Sequence, residues 1–260
     1  MNYKTALITG ASSGIGEAFA HALAKEGTEL ILVARSRDTL EKLAHKLRAE
    51  HLKRVEVIAA DLSKPSPGER LAAEVAKLGL KVDLLVNNAG FGTVGAFHNL
   101  DAKREQQEIA LNAAAVVDLC HAFLPQILEA EQGGIINVAS LAAFQPMPYM
   151  SVYGATKAFV LSFSQALWAE YRKQGLRVLA VCPGPVETGF FSATGSKNLR
   201  KTVPNATVIS AQAVVELSLK ALRKNQTVVL PGYQAKAMAW TTRFVPRKLL
   251  AAATARVMRR

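Results

Sequence analysis

Thr9-Gly10-Ala11-Ser12-Ser13-Gly14-Ile15-Gly16 links an apolar run, Tyr3–Thr9, to a helical pattern that begins at Gly14. Three glycines at this spacing, set between a strand and a helix, decide the fold. Gly10 permits a tight turn with positive φ. Gly14 lets backbone come close to a pyrophosphate, and Gly16 lets the helix pack closely. Ser12, Ser13 and Ile15 complete the turn, and the unpaired N–H groups of the helix N-terminus face the anionic oxygens. No lysine of the Walker type follows the last glycine, which argues against a nucleotide triphosphatase.

Outward from this turn, short apolar runs alternate with longer helical patterns. The strands are expected at Glu29–Ala34, Val55–Ala60, Asp83–Val86, Gly134–Ala139, Arg177–Cys182 and Thr227–Leu230. Helices are expected at Asp38–His51, Ser66–Leu78, residues 103–131 with Pro125 bending or interrupting them, Ser151–Gln174 stopped by Gly175, and Ser210–Arg223. Strands of four to seven apolar residues between helices of twelve or more form repeated βαβ units. The expected fold is therefore α/β: a doubly wound, mainly parallel Rossmann-type sheet with helices on both faces. A chain of 260 residues, half of them apolar, fills one such domain. We assign residues 1–232 to it and read residues 233–260 as a basic C-terminal extension.

In sheets of this kind, ligands lie beyond the carboxyl ends of the strands. The second strand ends in Ala34-Arg35-Ser36-Arg37, with no acid before Asp38. A guanidinium there suits a 2′-phosphate, where a carboxylate would repel it. NADP(H) is favoured over NAD(H), which remains the alternative. Asp61 and Leu62 close the third strand, where they can meet an adenine; a helix-capping Asp61 is the plainer reading. Asn88, Ala89 and Gly90 end the fourth strand, and Gly90 lets the chain pass close to a sugar.

Tyr153 and Lys157 lie four residues apart at the start of a helix, hence on one face. A phenol is a poor base at neutral pH, and a nearby ammonium stabilises its phenolate. Ser140 follows the fifth strand, where its hydroxyl can bind a substrate oxygen or simply cap a turn. Asn112 sits in an apolar helical stretch. It is read either as holding a water linked to Lys157 or as satisfied by a local hydrogen bond. Pro183, Gly184, Val186 and Thr188 follow the sixth strand and are candidates for contact with a nicotinamide or a phosphate. A Pro-Gly turn explains the same backbone signal.

Together these positions resemble the classical short-chain dehydrogenase/reductase family over roughly residues 3–232. The resemblance implies that Tyr153 transfers the proton and that Lys157 is its electrostatic partner and a ribose ligand. It further implies that Ser140 orients the substrate, that Asn112 completes the set, and that no catalytic metal is used. A homodimer or homotetramer is implied as well. The expected activity is interconversion of a carbonyl and a secondary alcohol by NADP(H)-dependent hydride transfer. The contrasting reading is a nucleotide-sensing scaffold without catalysis. Substrate choice is expected to depend on Ala142–Met150 and residues 187–209. Phe91, Phe144, Met147, Met150, Phe190 and Phe191 are candidates for an apolar pocket wall, suited to a small apolar-leaning carbonyl or alcohol. Gly189, Gly195 and Pro204 mark the least regular stretch.

Charge is distributed unevenly. The net charge is +12, yet residues 1–196 hold 19 basic and 19 acidic side chains. Residues 197–260 hold 13 bases and one acid, Glu216. No recognition module accompanies these bases, so nucleic acid is not an expected partner. Residues 248–260 fit an amphipathic helix with Leu249, Leu250, Ala253 and Val257 on one side. Three readings of the segment stay open: packing over the cleft or a neighbouring subunit, peripheral contact with an anionic membrane, or a solvated basic end. Cys120 and Cys182 read as buried thiols, and His98 and His121 have no nearby partners for a metal triplet. No stretch reads as a secretory signal or as a run of about 20 apolar residues able to span a bilayer. A cytoplasmic location, with peripheral membrane contact as one reading of the tail, is the expectation.

Overall fold

The computed structural model describes residues 3–190, 194, 207–242 and 244–258. Strands β1 (Thr5–Thr9), β2 (Glu29–Ala34), β3 (Val55–Ala59), β4 (Leu84–Asn87), β5 (Gly134–Val138), β6 (Arg177–Val181) and β7 (Val228–Val229) form one sheet in the order β3-β2-β1-β4-β5-β6-β7. All six strand pairings are parallel. The order reverses between β1 and β4, which opens a crevice at their carboxyl ends.

Successive strand residues point to opposite faces, which splits the core in two. Ala6, Ile8, Leu30 and Leu32 face one side, against helices α1 (Gly14–Lys25), α2 (Arg37–His51) and, further along the chain, Ala211–Arg223. Leu7, Ile31 and Val33 face the other. There they meet α3 (Pro67–Lys77), α4 (Ala102–Ile109) continuing into α5 (Ala115–Glu129), and α6 (Ser151–Tyr171). Ala211–Arg223 is α7, capped by the Ser210 hydroxyl on the Ala213 amide. Two further helices follow, α8 (Tyr233–Thr241) and α9 (Arg247–Met258). Cys120 and Cys182 are free and buried.

In the long helical stretch, one of the two readings of Pro125 falls and one further expectation is corrected. Pro125 does not interrupt it: α5 runs through Pro125, and His121, whose carbonyl loses its helical donor there, lies on the exposed side. The irregularity falls instead at Ala110–Ala114, a π-helical turn that carries Asn112 inward. Moreover, Ala102–Glu129 is long and apolar enough, by length and composition, to cross a membrane. In this fold it is a core helix. Asp118 accepts the Gly68 amide at 2.8 Å and Gln126 accepts the Val82 amide at 2.8 Å, tying the helix to its neighbours on both sides.

Candidate active site

The glycine turn is built as its spacing requires. Gly10 has φ +64° and Gly14 φ +61°. A β-carbon on Gly16 would sit 2.2 Å from the Gly10 carbonyl oxygen, so helix α1 packs against the turn only with glycine there. The Ser13 side chain makes no capping bond to α1. The first-turn N–H groups therefore have no side-chain cap and are open to an anion. Asn88 locks the arrangement from β4: its side-chain amide donates to the carbonyls of Thr9 (2.9 Å) and Gly10 (3.1 Å). The Thr9 hydroxyl in turn accepts the amides of Asn88 and Ala89.

A cavity of about 1440 Å³ runs along the carboxyl edge of the sheet. Gly10, Ser12, Ser13, Gly14 and Ile15 line it beside Arg35, Asp61 and Leu62. Asn88, Ala89, Gly90, Ser140, Tyr153 and Lys157 line it as well, as do Pro183, Gly184, Val186 and Thr188. Thr188 reaches across to the turn, since a β-carbon on Gly14 would lie 2.8 Å from its methyl group. Such a cradle, with bare glycines and uncapped amides at one point and an exposed Arg35 at the end of β2, fits a phosphorylated dinucleotide.

Two expected site residues are not on this wall. Gly16 is buried against Gly10, as a packing glycine. Asn112 is 1% exposed and lies behind Phe91. Its amide nitrogen donates to the Phe91 carbonyl (2.8 Å) and to the Thr156 hydroxyl (3.3 Å), and its oxygen accepts the Phe91 amide (3.1 Å). A β-carbon on Gly90 would lie 2.9 Å from Asn112 Oδ1 and 3.5 Å from Lys157 Nζ. Asn112 thus sits next to Lys157, but both of its donor hydrogens are held locally.

Tyr153 is half-buried, with its ring 5.3 Å from that of Phe190. Burial pushes its phenol up to about 12, against a lowering hydrogen bond from Ser140. Ser140 also accepts the Ala142 amide at 3.1 Å, so it caps the turn Leu141–Phe144 and faces the phenol at once. Lys157 is buried, donates to the Val138 carbonyl at 2.7 Å, and lies 5.8 Å from the Tyr153 ring centre. Burial pushes its ammonium down to about 8. Burial sets the direction of the phenol's shift, and the lowering contact is Ser140 rather than the expected Lys157 ammonium. Asp61 keeps only part of its carboxylate for a ligand, because Oδ1 accepts both the amide and the hydroxyl of Ser63, which hold its pKa below the ordinary value.

On the substrate side, Phe91, Met147, Met150 and Phe190 line the cavity. Phe144 does not; it packs into the core beneath. Phe191, Gly195 and Pro204 lie outside the described residues, as does most of residues 187–209. Sequence reasoning assigned neither Ser36 nor Ser63 to the site at the Arg35 end, and placed no individual tail residue on the cavity wall. Tyr233, Ala235 and Met238 of α8 and Thr254, Val257 and Met258 of α9 all line the cavity.

It also missed a buried acid pair beside the site. The Thr93 hydroxyl contacts the carboxyls of both Glu105 and Glu108. One hydroxyl has one hydrogen, so two carboxylates around it need a further proton. Burial pushes Glu108 up to about 7, and the charge of Glu105 adds to this. An acid held more firmly protonated by the folded state contributes its stability fully below its ordinary value near 4.5. That contribution is lost as pH rises toward 7. Glu108→Gln, which copies the protonated form and cannot ionise, should raise Tm by about 2–4 °C at pH 8 and leave it nearly unchanged at about pH 5. Thermal melts at the two pH values decide this, and an equal shift at both would refute it.

Fold and cleft together define a dinucleotide-binding protein of the doubly wound α/β class. Residues 4–199 match the family described as short chain dehydrogenase. The chain belongs to the short-chain dehydrogenase family, whose members are NAD(P)-dependent oxidoreductases. It is 33% identical over 222 residues to hydroxysteroid dehydrogenase-like protein 1 of Gallus gallus, covering 83% of this chain and 66% of that protein. It is 33% identical over 187 residues to the very-long-chain 3-oxoacyl-CoA reductase of Bos taurus, covering 70% of this chain and 59% of that protein. The chain thus spans under two thirds of the length of either relative. A short-chain dehydrogenase from Sphingobium yanoikuyae, solved in complex with NADPH, superposes with a TM-score of 0.83 at 34% identity, covering 96% of this chain and 95% of that one.

Proposed function

We propose that this protein is an NADP(H)-dependent oxidoreductase that interconverts an apolar carbonyl compound and its secondary alcohol, with Tyr153 moving the proton. The convergence of Tyr153, Ser140 and Lys157 on the cleft that the glycine turn opens carries this reading. When bound, the dinucleotide supplies or takes up the hydride. Arg35 pairs with its 2′-phosphate, in keeping with the NADPH held by the Sphingobium relative. The uncapped amides of the glycine turn take the pyrophosphate, and Thr188 closes over them.

The Ser140 hydroxyl donates to the substrate oxygen and holds it against the phenol. At neutral pH the phenol keeps its proton, so Tyr153 is set to protonate an oxygen that gains negative charge. Lys157, charged below about pH 8, binds ribose hydroxyls and stabilises the phenolate left behind. Asn112 holds the Phe91 backbone and offers a water only the remaining lone pair of Oδ1. Fixed distances and oriented dipoles supply most of the rate gain. The apolar wall and the names of the vertebrate relatives favour a bulky apolar carbonyl substrate. A homodimer or homotetramer fits the family. From the extension of residues 233–260, Tyr233, Ala235, Met238, Thr254, Val257 and Met258 complete the cleft, and a cytoplasmic location with peripheral membrane contact fits the basic tail.

The test is NADPH consumption over a panel of ketones and aldehydes of increasing bulk. Turnover of bulky apolar ketones, at least about tenfold faster with NADPH than with NADH, is expected. Tight NADPH binding with no turnover across the panel would leave the nucleotide-sensing scaffold as the better reading.

A further inference from the structure

We propose that α8 and α9 seat the protein on an anionic lipid bilayer with the mouth of the cleft against the lipid, so that the carbonyl substrate enters from the bilayer. The substrate half of this rests on the oxidoreductase reading above; the docking half does not.

Among the described residues, 13 large apolar side chains are exposed, and seven of them lie between Tyr233 and Met258, a tenth of the chain. Trp240 (62%) and Phe244 (70%) pack ring to ring at 4.8 Å, and Tyr233, Leu249 and Val257 are exposed by 85%, 60% and 63%. The apolar side expected for α9 is therefore not closed by the fold: no residue of that helix is buried. Exposed Lys236, Arg247, Lys248 and Arg256 stand among these side chains. No acidic residue follows Glu216 in the sequence. Large apolar groups interleaved with unopposed bases match the acyl boundary and the headgroups of an anionic bilayer together.

A second copy of the chain fits the patch poorly, because a symmetric contact would set bases against bases. Nucleic acid would meet the bases but leave the apolar side chains in water. The cavity supplies an independent observation. Tyr233, Met238 and Val257 belong both to the exposed patch and to the cavity wall. The cleft thus opens through the patch, and a bilayer resting on it would cover the mouth. A ketone dissolved in that bilayer, long-chain or polycyclic, would pass from lipid to apolar wall without crossing water.

The full chain should co-sediment with vesicles of phosphatidylcholine and phosphatidylserine, and much less with phosphatidylcholine alone. Binding should weaken as salt rises. NADPH oxidation should be at least about tenfold faster on a long-chain ketone in the serine-lipid vesicles than on the same ketone in neutral detergent. The variant Trp240→Ser/Phe244→Ser/Lys248→Glu/Arg256→Glu alters only side chains away from the cavity wall. It should lose vesicle binding and the rate gain, yet keep turnover of a small water-soluble ketone. Equal co-sedimentation of wild type and variant, or binding without any gain in turnover, would overturn the proposal. If neither ketone is turned over, the oxidoreductase reading falls and the substrate half with it, while co-sedimentation still decides the docking half.

Discussion

Tyr153→Phe should lower kcat by about 10³-fold and leave NADPH affinity nearly unchanged. The phenol oxygen is the single atom removed, so any loss reports proton transfer rather than the shape of the cleft. Three features of the site set the size of the effect. First, the ring is fixed: it lies against Phe190, and a β-carbon on Gly92 would come within 3.0 Å of it, so the phenylalanine ring should occupy the same place. Second, the phenol holds its proton well above neutrality, pushed up to about 12 by burial, so carbonyl reduction draws on a fully loaded donor. Third, Ser140 can hold the substrate oxygen but cannot replace the donor, because its hydroxyl has no base to recharge it. The expected pH profile follows. Reduction should run flat from about pH 6 toward pH 8 and fall above it, as Lys157 loses the charge that holds the phenolate. Alcohol oxidation needs the phenolate and should climb over the same range. Single-turnover NADPH oxidation measures the rate, and quenching or transfer of NADPH fluorescence measures the affinity. A variant within about threefold of wild type would remove Tyr153 from the chemistry.

The parts of this molecule that were legible in the sequence are those where backbone geometry restricts the residue type. Gly10 and Gly14 take positive φ, and Gly16 has no space for a β-carbon, so the turn writes itself into the chain as glycine. Short apolar runs did the same for the sheet, because the central strands β1, β4 and β5 are buried along their whole length. The carboxyl-edge residues followed from topology alone: once the strands are parallel, Arg35, Asp61, Asn88, Ser140 and Pro183 must share one edge.

What stayed illegible depends on contacts between distant segments. Nothing local distinguishes Phe144, which packs into the core, from Phe91, which lines the cleft. The π turn at Ala110–Ala114 has no composition of its own; what accompanies it is the pairing of the Asn112 amide with the Phe91 backbone, 21 residues away. The buried pair Glu105 and Glu108 looks, in sequence, like the solvated face of a charged helix, and only the folded chain brings Thr93 onto that face. The tail kept three readings because its bases and apolar residues satisfy all of them; the wall it lends to the cleft could be seen only with the chain folded back.

Arg35→Glu should invert the choice of dinucleotide, lowering the ratio of kcat/KM for NADPH over NADH by about 10²-fold or more. Arg35 stands at the carboxyl end of β2, exposed, with Ser36 beside it and Asp61 and Ser63 on the neighbouring stretch of the cavity wall. A guanidinium there offers two parallel N–H donors to a phosphate, a charge-assisted contact worth about 1.5–3 kcal/mol. Replacing it by a carboxylate removes that contact and adds repulsion. Exposure to water screens both effects, and the ratio should accordingly shrink as ionic strength rises. The same carboxylate can accept the 2′-hydroxyl of NADH, so kcat/KM for NADH should hold or rise while that for NADPH falls. Asp61 cannot blur this outcome, because its Oδ1 is already committed to Ser63 and its position past β3 is unchanged by the substitution. Tyr153 and Lys157 stand on α6, a part of the cavity wall separate from Arg35 at the end of β2, so kcat at saturating cofactor should be little affected. Initial rates against each dinucleotide at low and high salt make the measurement. A ratio that stays within about threefold of wild type would show that the 2′-position is read elsewhere, and Arg35 would then be a solvated side chain at the start of α2.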